Sequence, residues 1–476
     1  MEPALDFLSR PLGPPVLTET GTSAHASLRC SPVWRVLLVL VHLAWLHCYA
    51  TAEPVPNFPS AHWEKIEHPE TLGWATNKLA EAHACAQSIG SAALFVVHEG
   101  KVVDDWGETT RRFNVHSIRK SFLSALIGGC VASGTIRLTN TLEQLGVDDN
   151  EPKLTPAEKQ ATVADLLKAR SGVYHAALYE TEAMKARRPV RGSHPPGSFY
   201  YYNNWDFNAL GTIYEKAAGM SVFAAFEQYL AKPLQMEDFR LEDTQYVRGA
   251  DSIHPAYAFR MSARDMARFG LLFLHQGRWR DRQVVPADWV TESTRAYSAV
   301  AATNGPVYAG YGYLWWTDWQ GRNLENVVLP PGTFSARGAG GHYILIAPAL
   351  DLVIVHRVDT DQKDGKRVQG GQFGTLVKLI LEAMPTGAAI SAADLSHPTK
   401  PTPENLDALV PKLMTRHHVP GVAIVGIENR RVAWERFYGV RRAGEQKPVD
   451  ADTVFEAASM SKLLMSFAAL KLVVQG

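Results

Sequence analysis

Two stretches of this chain are built alike, and that repetition limits every fold it can adopt. Ser117-Ile118-Arg119-Lys120 and Ser459-Met460-Ser461-Lys462 are its two Ser-x-x-Lys tetrads. Phe113 and Phe455 precede them by the same step, and Ser124 with Ser466, then Gly134 with Gly476, follow in register. Upstream of each tetrad lies a strand–turn–strand pattern. The first covers residues 92–98 and 101–106, turned at Glu99-Gly100; the second covers residues 421–427 and 431–434, turned at Glu428-Asn429. A recurring pattern of this length specifies one local unit twice, so the 476 residues are expected to hold more than one domain. Residues 385–405, with Gly387, Ser391, Pro398, Pro401 and Pro403, read as a linker between the two. That leaves one complete unit over residues 53–384 and the start of a second over residues 406–476.

The N-terminus reads as a targeting segment. Residues 36–46 are an apolar run behind Arg35, and Ala50-Thr51-Ala52 supplies small residues at a cleavage site. Residues 1–52 are therefore expected to be a signal peptide with an atypical N-terminal extension, cleaved after Ala52, with translation beginning near Val33. The alternative is an uncleaved anchor, although the run is shorter than the ~20 apolar residues a span needs. Export to the periplasm or the medium follows, with membrane contact only if the segment is retained. Cys85 and Cys130 would then meet an oxidising compartment, as a pair or as two separate thiols. Forty-eight Lys plus Arg against 48 Asp plus Glu give no electrostatic case for nucleic acid. No Cys/His cluster has zinc-ligand spacing, and no cofactor is expected.

The first unit reads as strands, then helices, then strands. A helix is expected over about residues 69–88, and another from near Ser117 to Gly134, apolar on most faces and so suited to a domain centre. Thr162 with Asp165, and Ser262 with Asp265, resemble capping boxes that open helices. Residues 312–316, 342–347 and 352–356 read as strands, and residues 374–383 as a final helix. The class is α+β, with one sheet drawing strands from both ends of the unit.

The chemistry sits on the first tetrad. Residues i and i+3 share a helix face, so the Lys120 amine can approach the Ser117 hydroxyl. Serine is a weak nucleophile until a base takes its proton, and a desolvated lysine can be that base. The helix N-terminus favours a developing oxyanion. Alone, the tetrad is weak evidence and reads more readily as two solvated residues on a helix. Residues 195–211 add Tyr200-Tyr201-Tyr202-Asn203-Asn204 and then Leu210-Gly211, a Tyr-x-Asn pattern with two possible registers.

Ser-x-x-Lys with Phe at −4, Tyr-x-Asn, Leu166-Leu167-Lys168-Ala169-Arg170-Ser171-Gly172 and residues 262–270 together resemble the serine β-lactamase/penicillin-binding-protein superfamily. The resemblance is to its class C β-lactamase-related serine hydrolases: esterases, D-aminopeptidases and nylon-oligomer hydrolases. It implies an antiparallel sheet flanked by helices plus a mostly helical subdomain. It also implies Ser117 as the acylated nucleophile, Lys120 as its proton acceptor, Tyr202 as a second acid/base and Asn204 as the orienting amide.

The departure is the third motif, Lys-Thr-Gly or Lys-Ser-Gly, which is missing. The corresponding strand runs through Arg337, Gly338, Ala339 and Gly340 to His342. Arg337 is a candidate replacement for the cation or a solvated strand-end residue, and Ala339 or Gly340 a candidate oxyanion N–H. Tyr174, Trp205 and Trp315-Trp316 are candidates for pocket lining or for core. His116 adjoins Ser117 but cannot easily face it on a helix, and no Gly-x-Ser-x-Gly elbow exists. The expected partner is a small ester or amide, cleaved by an exported serine hydrolase. The alternatives are a β-lactamase, a D-Ala-D-Ala carboxypeptidase-like enzyme, or a non-catalytic sensor of the same fold.

Overall fold

In the computed structural model, residues 57–301, 305–362, 365–385, 403–416, 419–428 and 431–455 are described. The expected signal peptide over residues 1–52 and the second Ser-x-x-Lys tetrad lie outside the described residues. Eight strands form the main sheet: β1 (Ala93–His98), β2 (Lys101–Gly107), β3 (Ser298–Ala301), β4 (Val307–Tyr311), β5 (Trp316–Thr317), β6 (Phe334–Gly338), β7 (His342–Ala347) and β8 (Leu352–Arg357). Their spatial order is β2-β1-β8-β7-β6-β5-β4-β3, antiparallel throughout. The pairing of β1 with β8 joins the two ends of the unit.

Three central strands are buried along their whole length because the sheet is covered on both faces. The period-two alternation divides their side chains between two cores. Leu94, Val96, Leu345 and Ile354 pack with the helices α1 (Thr76–Ile89) and, near the end of the unit, Gly370–Ala383. Phe95, Val97, Ile344, Ile346, Val353 and Val355 face the other way, toward the helix Ala263–Leu274 and the helical region. That region includes α2 (Arg119–Ala132) and α3 (Asn204–Ala218). A small sheet of Phe113–Asn114, Ser252–Met261 and Thr244–Gly249 accompanies them. Buried Asp149 ties the region together, accepting from Trp205 Nε1 (2.6 Å), Ser252 Oγ (2.6 Å), Ile253 N (2.8 Å) and Asn150 N (2.7 Å).

Two local expectations need correction. Thr162 and Asp165 form a reciprocal capping box. Ser262 accepts from the Asp265 N–H, but the Asp265 carboxylate instead accepts from the backbone N–H groups of Glu237 and Asp238. Residues 312–316 are not one strand. Gly312 to Trp315 is a turn between β4 and β5, with Leu314 at φ +65°, and Leu314 donates to the Leu167 carbonyl rather than to a ladder.

Beyond the main sheet, the repeat is visible in three dimensions. The helix Pro403–Arg416 precedes a hairpin, β9 (Gly421–Glu428) and β10 (Arg431–Gly439), as α1 precedes β1 and β2. Both hairpins bulge at the same point. Val97 pairs with Val102 and Val96 skips to Asp104; Ile427 pairs with Val432 and Gly426 skips to Trp434. Both end on a left-handed glycine, Gly107 at φ +80° and Gly439 at φ +72°. A Cβ at either would meet a backbone carbonyl, that of Ala92 or of Pro420. The copies differ in burial: Phe95 and Val97 are 2% and 0% exposed, whereas Val425 and Ile427 are 49% and 70% exposed. Among the described residues, β9 pairs only with β10.

Candidate active site

Ser117 stands in a 3₁₀ turn, His116–Ile118, that leads directly into α2. The chain before it is fixed from several sides. Val115 donates to the Phe259 carbonyl, and the Asn114 side chain accepts from the His116 N–H. The buried Arg357 guanidinium donates to the carbonyls of Phe113 (3.0 Å), Asn114 (3.1 Å) and Met261 (2.6 Å). His116 takes φ +48°, a strained left-handed value for a residue with a side chain, and this directs its ring away from a helical course.

That ring is not a base for Ser117. Arg357 Nε donates to His342 Nδ1 (3.0 Å), which leaves His342 Nε2–H to donate to Thr360 Oγ1 (3.2 Å). The Thr360 hydroxyl is then free to donate to His116 Nε2, 2.8 Å away. Burial pushes His116 down to about 4, so it is neutral at pH 7.

Lys120 lies one turn on and is fully buried. Its Nζ is 3.0 Å from Ser117 Oγ, 2.6 Å from Tyr202 Oη and 2.9 Å from Asn204 Oδ1. The rings of Tyr202 and Phe207 flank the amine, with centroids 4.1 and 4.3 Å away. Among the described residues no carboxylate touches it, and burial holds it well below the ordinary lysine range. Burial also pushes the Tyr202 phenol up to about 12, partly offset by its hydrogen bond with Ser117. Asn204 is held in turn, its Nδ2 donating to the Tyr179 carbonyl at 2.6 Å.

The structure therefore brings together Ser117, Lys120, Tyr202 and Asn204. The other tyrosine register serves the fold: Asn203 caps α3, accepting from the Trp205 N–H at 3.1 Å, and the Tyr201 hydroxyl donates to the Met184 carbonyl. Tyr200 packs on Tyr311, 5.5 Å between centroids. Trp205 and Trp315 are core, and Trp316 joins Phe207 and Tyr311 around Tyr202, its ring 5.7 Å away.

Tyr174 is not among the groups that meet Ser117. It is buried, with its hydroxyl 3.2 Å from His194 Nδ1 and its ring edge-on to Tyr201. Arg337 is not a solvated strand end. It donates to Ser335 Oγ (3.0 Å), Asn323 O (2.7 Å) and Asn323 Oδ1 (2.6 Å), and stacks on Trp316 at 4.7 Å. Ala339 and Gly340 occupy the turn between β6 and β7. Sequence reading missed Asn208, one helical turn after Asn204 and also on a cation; that spacing was the available signal.

Gly338 is what lets β6 reach the nucleophile turn. A Cβ there would lie 2.5 Å from the Val115 carbonyl oxygen and 3.4 Å from His116 Cβ. Gly338→Ala is expected to push the strand from Ser117 and lower kcat/KM by ~10–100-fold, because small misplacements near reacting atoms cost that much. Hydrolysis kinetics on the folded variant check this; an unchanged kcat/KM would show that β6 does not position the site.

The sheet with helices on both faces, the helical region and the Ser–Lys–Tyr cluster define the β-lactamase/transpeptidase-like fold. A family model described as Beta-lactamase matches residues 75–373 and 406–476. The chain belongs to that family of serine hydrolases. An uncharacterized protein of Alkalihalophilus pseudofirmus is 21% identical over 294 residues, 56% of this chain and 82% of that one. Among solved structures, a provisionally assigned 6-aminohexanoate-dimer hydrolase from Bacillus anthracis has 19% identity and a TM-score of 0.48, covering 75% of this chain and 96% of its own. A penicillin-binding protein homolog from Caulobacter crescentus has 14% identity and a TM-score of 0.48, covering 65% and 99%.

Proposed function

We propose that the protein cleaves carboxylic esters or small amides through an acyl-enzyme on Ser117. The observation that carries this is the single buried amine of Lys120 touching Ser117, Tyr202 and Asn204 with no carboxylate to keep it charged. As the free amine, Lys120 gives one N–H to Asn204 and one to Tyr202, and its lone pair accepts the Ser117 proton. Ser117 Oγ attacks the acyl carbon and the carbonyl oxygen becomes an oxyanion near the helix N-terminus and the Ala339–Gly340 turn. As the leaving group departs, Tyr202 gives it a proton and Lys120 refills Tyr202. Water reverses the relay and releases the acid. The polypeptide is expected to act after export, with the segment before Glu53 removed.

Esters and small amides are favoured over β-lactams and D-Ala-D-Ala peptides because β6 carries no Lys-Thr-Gly cation and Arg337 is engaged by Asn323. Turnover of a p-nitrophenyl ester, a short anilide and a chromogenic cephalosporin by the same preparation tests this. The ester is expected to exceed the cephalosporin in kcat/KM by ~100-fold or more, the scale of one lost charge-assisted contact. Equal turnover of the two would favour the β-lactamase reading.

A further inference from the structure

Lys120 is not the only cation that α2 buries against α3. Arg119, the residue before it, is 1% exposed. Adjacent helical positions diverge, so the two side chains leave α2 in different directions, yet both land on α3. Lys120 donates to Asn204 Oδ1 at 2.9 Å and Arg119 Nη2 to Asn208 Oδ1 at 3.0 Å. Asn204 and Asn208 are one helical turn apart. Each is anchored by the same device, Asn204 Nδ2 on the carbonyl of Tyr179 and Asn208 Nδ2 on the carbonyl of Leu178. Two consecutive cations thus rest on two neutral amides, held by two consecutive carbonyls.

Among the described residues, no carboxylate is hydrogen-bonded to or paired with either cation. The Arg119 guanidinium lies 4.3 Å from the ring centroid of Tyr257 and 5.7 Å from that of Tyr179. Its Nε and Nη1 are buried without a hydrogen-bond partner. Around Lys120 the polar groups are Ser117 from its own turn, Tyr202 before α3 and Asn204 on α3, with the Phe207 ring beside them. A buried cation with no counter-ion is costly, and structures rarely keep one without use. Guanidinium does not give up its proton at any ordinary pH, whereas a buried ammonium does. Of two neighbouring buried cations, the lysine is the one that yields.

We propose that Arg119 is an electrostatic positioning residue: its permanent charge, fixed on Asn208 beside the Lys120–Asn204 contact, keeps Lys120 as the free amine. Asn208 is part of the device because an amide anchors the guanidinium without neutralising it. The proposal deepens the Ser117 acyl-enzyme reading and rests on it for its catalytic consequence. The direction agrees with the field at Lys120, where burial acts first and the Arg119 charge second, both lowering its proton affinity.

The test compares wild type with Arg119→Met, which removes the charge, and Asn208→Asp, which keeps Arg119 but neutralises it in place. With lysine carrying ¹³C at Cε, the Lys120 signal is identified by its loss in Lys120→Met, and its titration is followed by NMR. Either variant is expected to raise the Lys120 midpoint by about one pH unit, the order of magnitude of one neighbouring charge at the effective dielectric of a protein interior. The acidic limb of p-nitrophenyl ester hydrolysis should move up by the same amount. Sign follows from chemistry: the free amine is the working form, so a higher midpoint removes activity from the acidic side first. If Arg119→Met fails to fold, Asn208→Asp decides alone. A midpoint unmoved in the folded variants, with rate lost equally at every pH, would make Arg119 structural and overturn the proposal. Failure of the acyl-enzyme reading would show separately, as a shifted midpoint without any Ser117 adduct in wild type.

Discussion

Ser117→Ala is expected to reduce ester hydrolysis by ~10⁴-fold or more while leaving the fold intact. Ser117 Oγ makes its contact with Lys120 at 3.0 Å and is only half-buried, so its loss opens no cavity of consequence. The expected loss is large because the proposed covalent step would disappear altogether, leaving only binding and oxyanion stabilisation. Ser459 belongs to the second tetrad, outside the described residues, and Ser459→Ala is expected to leave the rate unchanged. Steady-state kinetics with thermal unfolding of both variants separate the two tetrads. Comparable losses in both would assign catalysis to the second tetrad as well as the first.

Lys120→Met should cost nearly as much, ~10³–10⁴-fold in kcat, for a different reason. Methionine keeps the apolar stem between the Tyr202 and Phe207 rings but removes the group proposed to accept the serine proton. Tyr202 cannot take over at neutral pH, since burial pushes its phenol up to about 12. Stability gives the second readout. The amine is buried and held well below its ordinary range, so folding at pH 7 carries the cost of dehydrating it. A group depressed in the folded state destabilises progressively as pH falls through its unfolded value, where the unfolded chain binds the proton more tightly. Lys120→Met should therefore lose less stability than wild type on acidification. A wild-type rate retained in Lys120→Met would remove lysine from the chemistry.

Much of this site was legible in the sequence because it is local. Ser117 and Lys120 are fixed by one helical turn, and Tyr202 with Asn204 by the step into α3. What stayed hidden depends on distant chain. Asn203 and Asn204 look alike until the start of α3 sends one side chain to cap the helix and turns the other to Lys120. Arg337 reads as a free cation until Asn323, from a loop with no pattern of its own, closes on it. Asp265 reads as the partner of Ser262 until the Glu237–Asp238 backbone competes for its carboxylate. The strands with period-two apolar faces were readable, whereas residues 312–316 were not. Their aromatic content suits a strand, but Leu314 at φ +65° turns the chain. The strand–turn–strand pattern was readable twice, because similar apolar and turn residues recur, whereas the helix Pro403–Arg416 and the two bulges emerge only in the structure.

The central claim is that Ser117 becomes acylated and is then released. Incubation with a fluorophosphonate, followed by peptide mass spectrometry, tests the first half, and burst kinetics with a p-nitrophenyl ester the second. One adduct per chain is expected on Ser117, lost in Lys120→Met, together with a burst followed by steady turnover. Stoichiometric labelling without turnover would indicate a sensor of the same fold. No adduct on Ser117 under conditions where the protein is folded would contradict the account outright.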